Sequence, residues 1–131
     1  MKREKPVAKV GGVMVGANDI ERAKQFYDMV LGEIGISALM EHPSGGRIYG
    51  GGDHPMFSVV RPFDGQSATA GNGTMVSFSC DSREEAAAMY AKAIASGGTC
   101  EGEPGPRGDT GFYGAYFRDP EGNKFCAFHW S

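Results

Sequence analysis

Apolar and polar positions along this chain alternate with two different periods, and each change of period marks an element. Residues 10–16 (VGGVMVG) read as a strand. Asn18 and Asp19 then supply a helix cap, and Ile20, Ala23, Phe26, Tyr27, Val30 and Leu31 recur at helical spacing before Gly32 stops them. Short extended runs follow at 35–41 (GISALME), 47–50 (RIYG) and 55–61 (PMFSVVR), separated by Gly, Pro and Asp turns. The polar, Gly-rich stretch 61–73 (RPFDGQSATAGNG) reads as a connection. The pattern then restarts: a strand at 74–80 (TMVSFSC), a cap at Asp81-Ser82, an Ala-rich helix from Glu84 to Ser96 ended by Gly97-Gly98, and strands at 99–103, 112–118 and 124–130. Both halves spell βαβββ.

The repetition is testable inside the chain. Sliding the sequence by 63 positions lays residues 10–35 on 73–98, where Val13 meets Val76, Glu21 meets Glu84, Ala23 meets Ala86, Tyr27 meets Tyr90 and Gly35 meets Gly98. Typical composition, about 6 per cent per residue type, would yield about one or two such identities. The expected fold is therefore α+β: two paired βαβββ modules forming a curved sheet around a cleft, within one domain spanning 1–131. Module one covers about 7–62, a linker 62–72, and module two about 73–131. With helices on the outer faces, the inner faces would form a pocket. Strand alternation puts Val13, Val15, Val76 and Phe78 under the helices and leaves Gly12, Met14, Met75 and Ser77 facing the pocket. It also groups Cys126, Phe128 and Trp130 on one face, opposite Phe125, Ala127 and His129.

Composition narrows the function classes. The chain has 131 residues, enough for one core, and a formal charge of −3 from scattered acids and bases, which offers no footprint for nucleic acid or anionic membrane. No stretch approaches membrane-spanning length and the charged start, MKREKP, leads into no secretory core, so a cytoplasmic location is expected. Cys80, Cys100 and Cys126 show no C-x-x-C spacing, which points to reduced thiols. The 21 glycines cluster at 45–53, 71–73, 97–98 and 102–111, where they punctuate strands.

Three stretches carry a family resemblance: the opening VMVGANDIERAKQFYDMVLG, the mid-chain RPFDGQSATAGNGTMVSF and the closing RDPEGNKFCAFHW. Together they resemble the glyoxalase, bleomycin-resistance and extradiol-dioxygenase superfamily, also called the vicinal oxygen chelate family. The resemblance implies a cleft in which metal-using members hold a divalent ion with His and Glu from matching strands. Carried over, those four ligand positions fall at Gly12, Ser58, Met75 and Cys126. Glycine has no side-chain donor, and a Met and Cys pair suits only a soft ion such as Cu(I). No cofactor is expected on this ground.

Other residues have candidate roles. Arg47 and Tyr49 share one face of a short strand, and Arg107 lies by Tyr113 and Tyr116, so guanidinium and aromatic groups could receive an anionic or planar ligand. Cys126 could be a nucleophile activated by Lys124, Arg118 or His129, or a small buried residue. His42, His54 and His129 with Glu41 and Asp53 could rebuild a metal site elsewhere, although His beside Pro in a loop is ordinarily solvent-facing.

The expectation is a small-molecule-binding protein that lacks the family's usual metal ligands, acts as a homodimer, and binds neither nucleic acid nor membrane. Its cleft residues are Gly12, Met14, Arg47, Tyr49, Ser58, Met75, Ser77, Arg107, Tyr113, Cys126 and Phe128, with no catalytic residue assigned. The alternative is a metal-dependent lyase or isomerase resembling lactoylglutathione lyase, with a shifted metal site or an acid/base pair such as Glu41 with a histidine.

Overall fold

Two capping side chains begin the two helices. Asp19 accepts the Arg22 N–H at 3.2 Å and opens α1 (Ile20–Gly32), while Ser82 accepts the Glu85 N–H at 3.0 Å and opens α2 (Arg83–Ala95). In this computed structural model the described residues are 7–50 and 53–131; the charged start at 1–6 and two glycines of the 45–53 cluster, Gly51 and Gly52, lie outside them. Both ends of α1 map onto both ends of α2 with the 63-residue offset seen in the sequence.

Around α1 run β1 (Gly12–Gly16), β2 (Ser37–Glu41), β3 (Arg47–Gly50) and β4 (Met56–Val60), in sheet order β1-β4-β3-β2. Around α2 run β5 (Val76–Ser79), β6 (Thr99–Pro106), β7 (Phe112–Arg118) and β8 (Lys124–Trp130), in order β5-β8-β7-β6. In each module the first strand pairs in parallel with the last, and the remaining pairs are antiparallel. Only β6 departs much from its expected span, continuing past 103 to Pro106. Register shifts between Cys100 and Gly102 and between Gly102 and Gly105 absorb the residues that look like strand breakers.

The helix-facing set expected from alternation lies on the core side: Val15 is buried in the core, and half-buried Val13, Val76 and Phe78 pack against it. That core is shared. Phe57 of β4 lies 5.9 Å from both Phe78 of β5 and Phe125 of β8, and Tyr27 of α1 lies 4.9 Å from Phe57 and 5.9 Å from Phe125. Such edge and tilted contacts contribute about 0.5–1.5 kcal/mol each beyond the burial of area. The helix-bearing faces of the two sheets therefore converge, with α1 and α2 in contact, and the other face of each sheet looks away from the common core. This differs from the expectation of helices outermost around an inner pocket. The physical reason is the aromatic content of the helix-facing positions, which bury most fully against one another.

The DPEGN turn (119–123) holds the modules together. Buried Asp119 accepts N–H groups of Glu121 at 2.9 Å and Asn123 at 2.8 Å, and its other oxygen accepts the Tyr27 hydroxyl and the Asn123 amide. Asn123 also donates to the Gly16 carbonyl at 3.1 Å, and the Glu121 carboxylate accepts the N–H groups of Asn18 and Asp19 at the start of α1. Gly122, at φ +94°, permits the turn. The Asn18 side chain meanwhile brackets the backbone of Ala68, strapping the connection across the same corner.

Candidate functional site

The outer face of the first sheet is apolar. Pairing aligns Gly12 with Met56 and Met14 with Ser58 between β1 and β4, and Ile48 with Ser58 between β3 and β4. Ile48 in turn faces Met40 of β2. Met14, Met40 and Met56 are 58%, 59% and 48% exposed, so three flexible thioether side chains lie on this face where water reaches them.

The outer face of the second sheet is aromatic and cationic. Ser77 of β5 pairs with Cys126 of β8, and Cys126 pairs with Tyr116 of β7. Phe128 stacks on Phe112 at 5.3 Å, and Trp130 meets Phe112 edge-on at 5.4 Å. Arg107 folds back from the 107–111 turn, donating to the carbonyls of Glu103 at 2.6 Å and Gly105 at 2.8 Å, and stands 5.5 Å from the Tyr116 ring centroid. The Lys124 ammonium stands 5.9 Å from the same ring.

Four candidate positions divide accordingly. Gly12 and Ser58 lie together on sheet one, while Cys126 and Met75, which just precedes β5, belong to sheet two. Within one chain the shared core stands between the pairs. None of the four supplies imidazole or carboxylate, and among the described residues no group of three or more His, Cys, Asp or Glu side chains is assembled as a ligand set. The residues at these positions do not fit a His and Glu metal centre.

Cys126 is 1% exposed. Burial pushes its thiol above the ordinary range, and the hydrogen-bonding neighbours Tyr116 and Ser77 pull it only partly back, so the sulfur is protonated near neutral pH. Burial also pushes Cys80 up to about 12, and Cys80 lies among the core residues.

Three expected cleft residues face the core side instead. Arg47 and Tyr49 pair with the core residues Val59 and Phe57, so alternation turns both toward α1. Arg47 is bridged to Asp28 at 2.6 Å and Glu41 at 2.8 Å, and the Tyr49 hydroxyl donates to Asp28 at 2.7 Å and to the Lys24 carbonyl at 3.2 Å. Tyr113 pairs with His129, packs against the core and carries the Arg83 guanidinium 5.2 Å from its ring. The expected neighbour of Arg107 on the outer face is Tyr116, through which Lys124 also joins the site. Hairpin symmetry about the DPEGN turn could have found it, because Arg118 opposite Lys124 places Tyr116 opposite Cys126.

The histidines serve local structure. His42 accepts the Ser44 N–H at 3.1 Å, and a ring nitrogen of His129 lies 2.9 Å from the Cys80 carbonyl on the face opposite Cys126, as alternation predicted. Glu41 is held by Arg47 and Lys24, with Arg47 the larger influence, and these cations pull its carboxyl down to about 2. His54, Asp81 and Glu85 help wall a cavity of about 290 Å³ between β4 and β5, bordered by Val13, Phe57, Val76 and Phe78 and reached also by Met56 and the expected cleft residue Ser77.

Comparison with known proteins agrees with the fold. A glyoxalase/bleomycin resistance protein/dioxygenase superfamily profile matches residues 9–127. The chain is 43% identical to a glyoxalase/bleomycin resistance protein from Albidiferax ferrireducens, with a TM-score of 0.83 over 91% of this chain and 96% of that one. A glyoxalase/bleomycin resistance protein/dioxygenase family enzyme from Burkholderia phytofirmans is similar in fold at 22% identity, with a TM-score of 0.75 over 95% of this chain and 100% of that one. Lactoylglutathione lyase from Agrobacterium tumefaciens shares the fold at 22% identity, with a TM-score of 0.69 over 95% and 96% of the two chains. None of the curated proteins compared matches the chain. Among the described residues no helix is long and apolar enough to cross a membrane. From the profile match across nearly the whole length and the two βαβββ modules beneath it, the chain belongs to the glyoxalase/bleomycin resistance protein/dioxygenase superfamily.

Proposed function

We propose that this protein binds a small organic molecule without the metal used by other members, in a cleft completed by a homodimer. The sheet-one face of one chain would meet the sheet-two face of its partner. The observation that carries this reading is the placement of Gly12, Met14 and Ser58 on one outward face and Ser77, Cys126 and Phe128 on another, with the common core between them. Neither face encloses a ligand alone, yet they are complementary: one is apolar and adaptable, the other aromatic and cationic. Opposed, they suit a planar or apolar body bearing negative charge.

Binding, and not turnover, is the activity these residues support. Cys126 is a protonated, buried thiol, and the carboxylate of Glu41 is engaged by two cations. A thermal-shift screen of aromatic and aliphatic acids tests the reading. A ligand present at a hundredfold excess over its dissociation constant adds about 2.7 kcal/mol to folding stability. We expect such a shift in the native chain and its loss in Gly12→Trp and in Ser77→Trp, which fill one exposed face each. A ligand that stabilises both variants as strongly as the native chain overturns the cleft.

A further inference from the structure

The connection between the modules carries a glycine run, GNGT (71–74), that the cleft as described leaves without a role. Together with Ala70, Met75, Arg118 and Lys124 it walls a cavity of about 500 Å³. Glycine is favoured at one position of this loop: Gly73 sits at φ +91°, where side-chain-bearing residues are strained, whereas a Cβ at Gly71 would meet only the rotatable Thr74 hydroxyl. The Thr74 N–H turns back to the Gly71 carbonyl at 3.4 Å, and Asn72 and Thr74 bring a side-chain amide and a hydroxyl to the cavity wall, so the loop offers an anion polar donors beside its glycines.

Its opposite wall is positively charged. Arg118 and Lys124 are paired across β7 and β8 and share the outer face with Tyr116 and Cys126. Arg118 is held in place, donating to Glu101 at 2.7 Å and to the Gly122 carbonyl at 2.7 Å. Lys124 belongs to both surfaces, since its ammonium stands against the Tyr116 ring while its side chain lines this cavity. Arg107 also stands against that ring, 5.5 Å from its centroid, outside the cavity wall.

We infer that this corner is an anion subsite, in which Lys124 and the 71–74 loop take the carboxylate or phosphate of a ligand whose planar body lies over Tyr116 and Phe128. The inference rests on the cleft reading for the position of that body, and on the corner's own geometry for the anion. Arg118, ion-paired with Glu101, holds the shape of the corner beside the loop, and Lys124 supplies the mobile cationic donor that closes on the ligand. A neutral or cationic molecule of the same shape finds no partner there.

Titration of the full-length, 15N-labelled chain followed by NMR separates the two ideas. Inorganic phosphate and benzoate should each shift the amide signals of Gly71, Gly73 and Thr74 in a saturable way, whereas benzyl alcohol and benzylamine should not. Lys124→Gln should weaken both anions about tenfold, the scale of one charge-assisted hydrogen bond. Lys124→Arg should keep the binding, and Lys92→Gln on α2 should leave it unchanged. Rising salt should weaken it. The subsite is overturned if benzyl alcohol shifts the loop as benzoate does, or if Lys124→Gln binds phosphate as the native chain does. In that event, benzoate shifts at Cys126 and Phe128 would leave the cleft reading intact. Phosphate titrating the loop, with no aromatic probe reaching Cys126 or Phe128, would overturn the cleft reading and leave the subsite standing. The stronger of the two anions identifies the ligand class as phosphorylated or carboxylic.

Discussion

Cys126, which the family resemblance led one to expect at a metal-ligand position, is a buried thiol packed beside Tyr116 and Ser77. Burial outweighs the hydroxyls of Tyr116 and Ser77 and raises the thiol, so thiolate forms only above the ordinary thiol range. Iodoacetamide at neutral pH should therefore label exposed Cys100 first, with buried Cys126 and Cys80 slower by at least about tenfold, and all three should become equal in denaturant. Mass spectrometry of the labelled peptides reads this directly, and rapid modification of Cys126 in the native chain would contradict its placement. That residues 12, 58, 75 and 126 lack imidazole and carboxylate was legible from sequence. The orientation of Arg47 and Tyr49 was not, because a strand of four residues offers two faces and only its pairing with β4 decides which one meets α1.

Among the elements, the β7 to β8 turn has the most consequence. Its DPEGN sequence reads locally as a turn, yet its side chains bond to residues about a hundred positions away: Tyr27, Gly16, Asn18 and Asp19. Tyr27→Phe removes a hydroxyl donated to a buried carboxylate, and such losses cost about 1–3 kcal/mol. Denaturant unfolding should show that loss. Combining Tyr27→Phe with Asp119→Asn should cost less than the sum of the two single changes, since both remove the same contact; strict additivity would refute the coupling. Helix spans and caps were readable because their signals are local. The length of β6 was not, since its irregularities are accommodated only by pairing with β7.

For the whole molecule, the question is which sheet faces meet across chains. If each cleft combines sheet one of one chain with sheet two of its partner, then chains carrying Gly12→Trp and chains carrying Ser77→Trp are each unable to bind. Mixing them by unfolding and refolding together should restore binding, because a mixed dimer contains one cleft with neither substitution. Calorimetry should find about one intact site per mixed dimer and none in either parent, with sedimentation confirming two chains per particle. Absence of any recovery in a confirmed mixed dimer would place the cleft inside a single chain instead.

The sequence by itself determined the two βαβββ modules, their caps, the 63-residue repeat and the alternation that separates Val13 from Met14 and Cys126 from Ala127. These follow from local periodicity and short-range capping, which need no knowledge of distant residues. Only the tertiary structure decided which face of each sheet is buried against the other module. Both faces of the first sheet carry large apolar side chains, Val13 and Val15 on one and Met14 and Met56 on the other, so hydrophobicity alone does not choose between them. The choice is made by contacts distant in sequence: Phe57 with Phe125, Tyr27 with Asp119, and Asn123 with Gly16. Burial is a property of how modules meet, and the period of a strand specifies only that it has two sides.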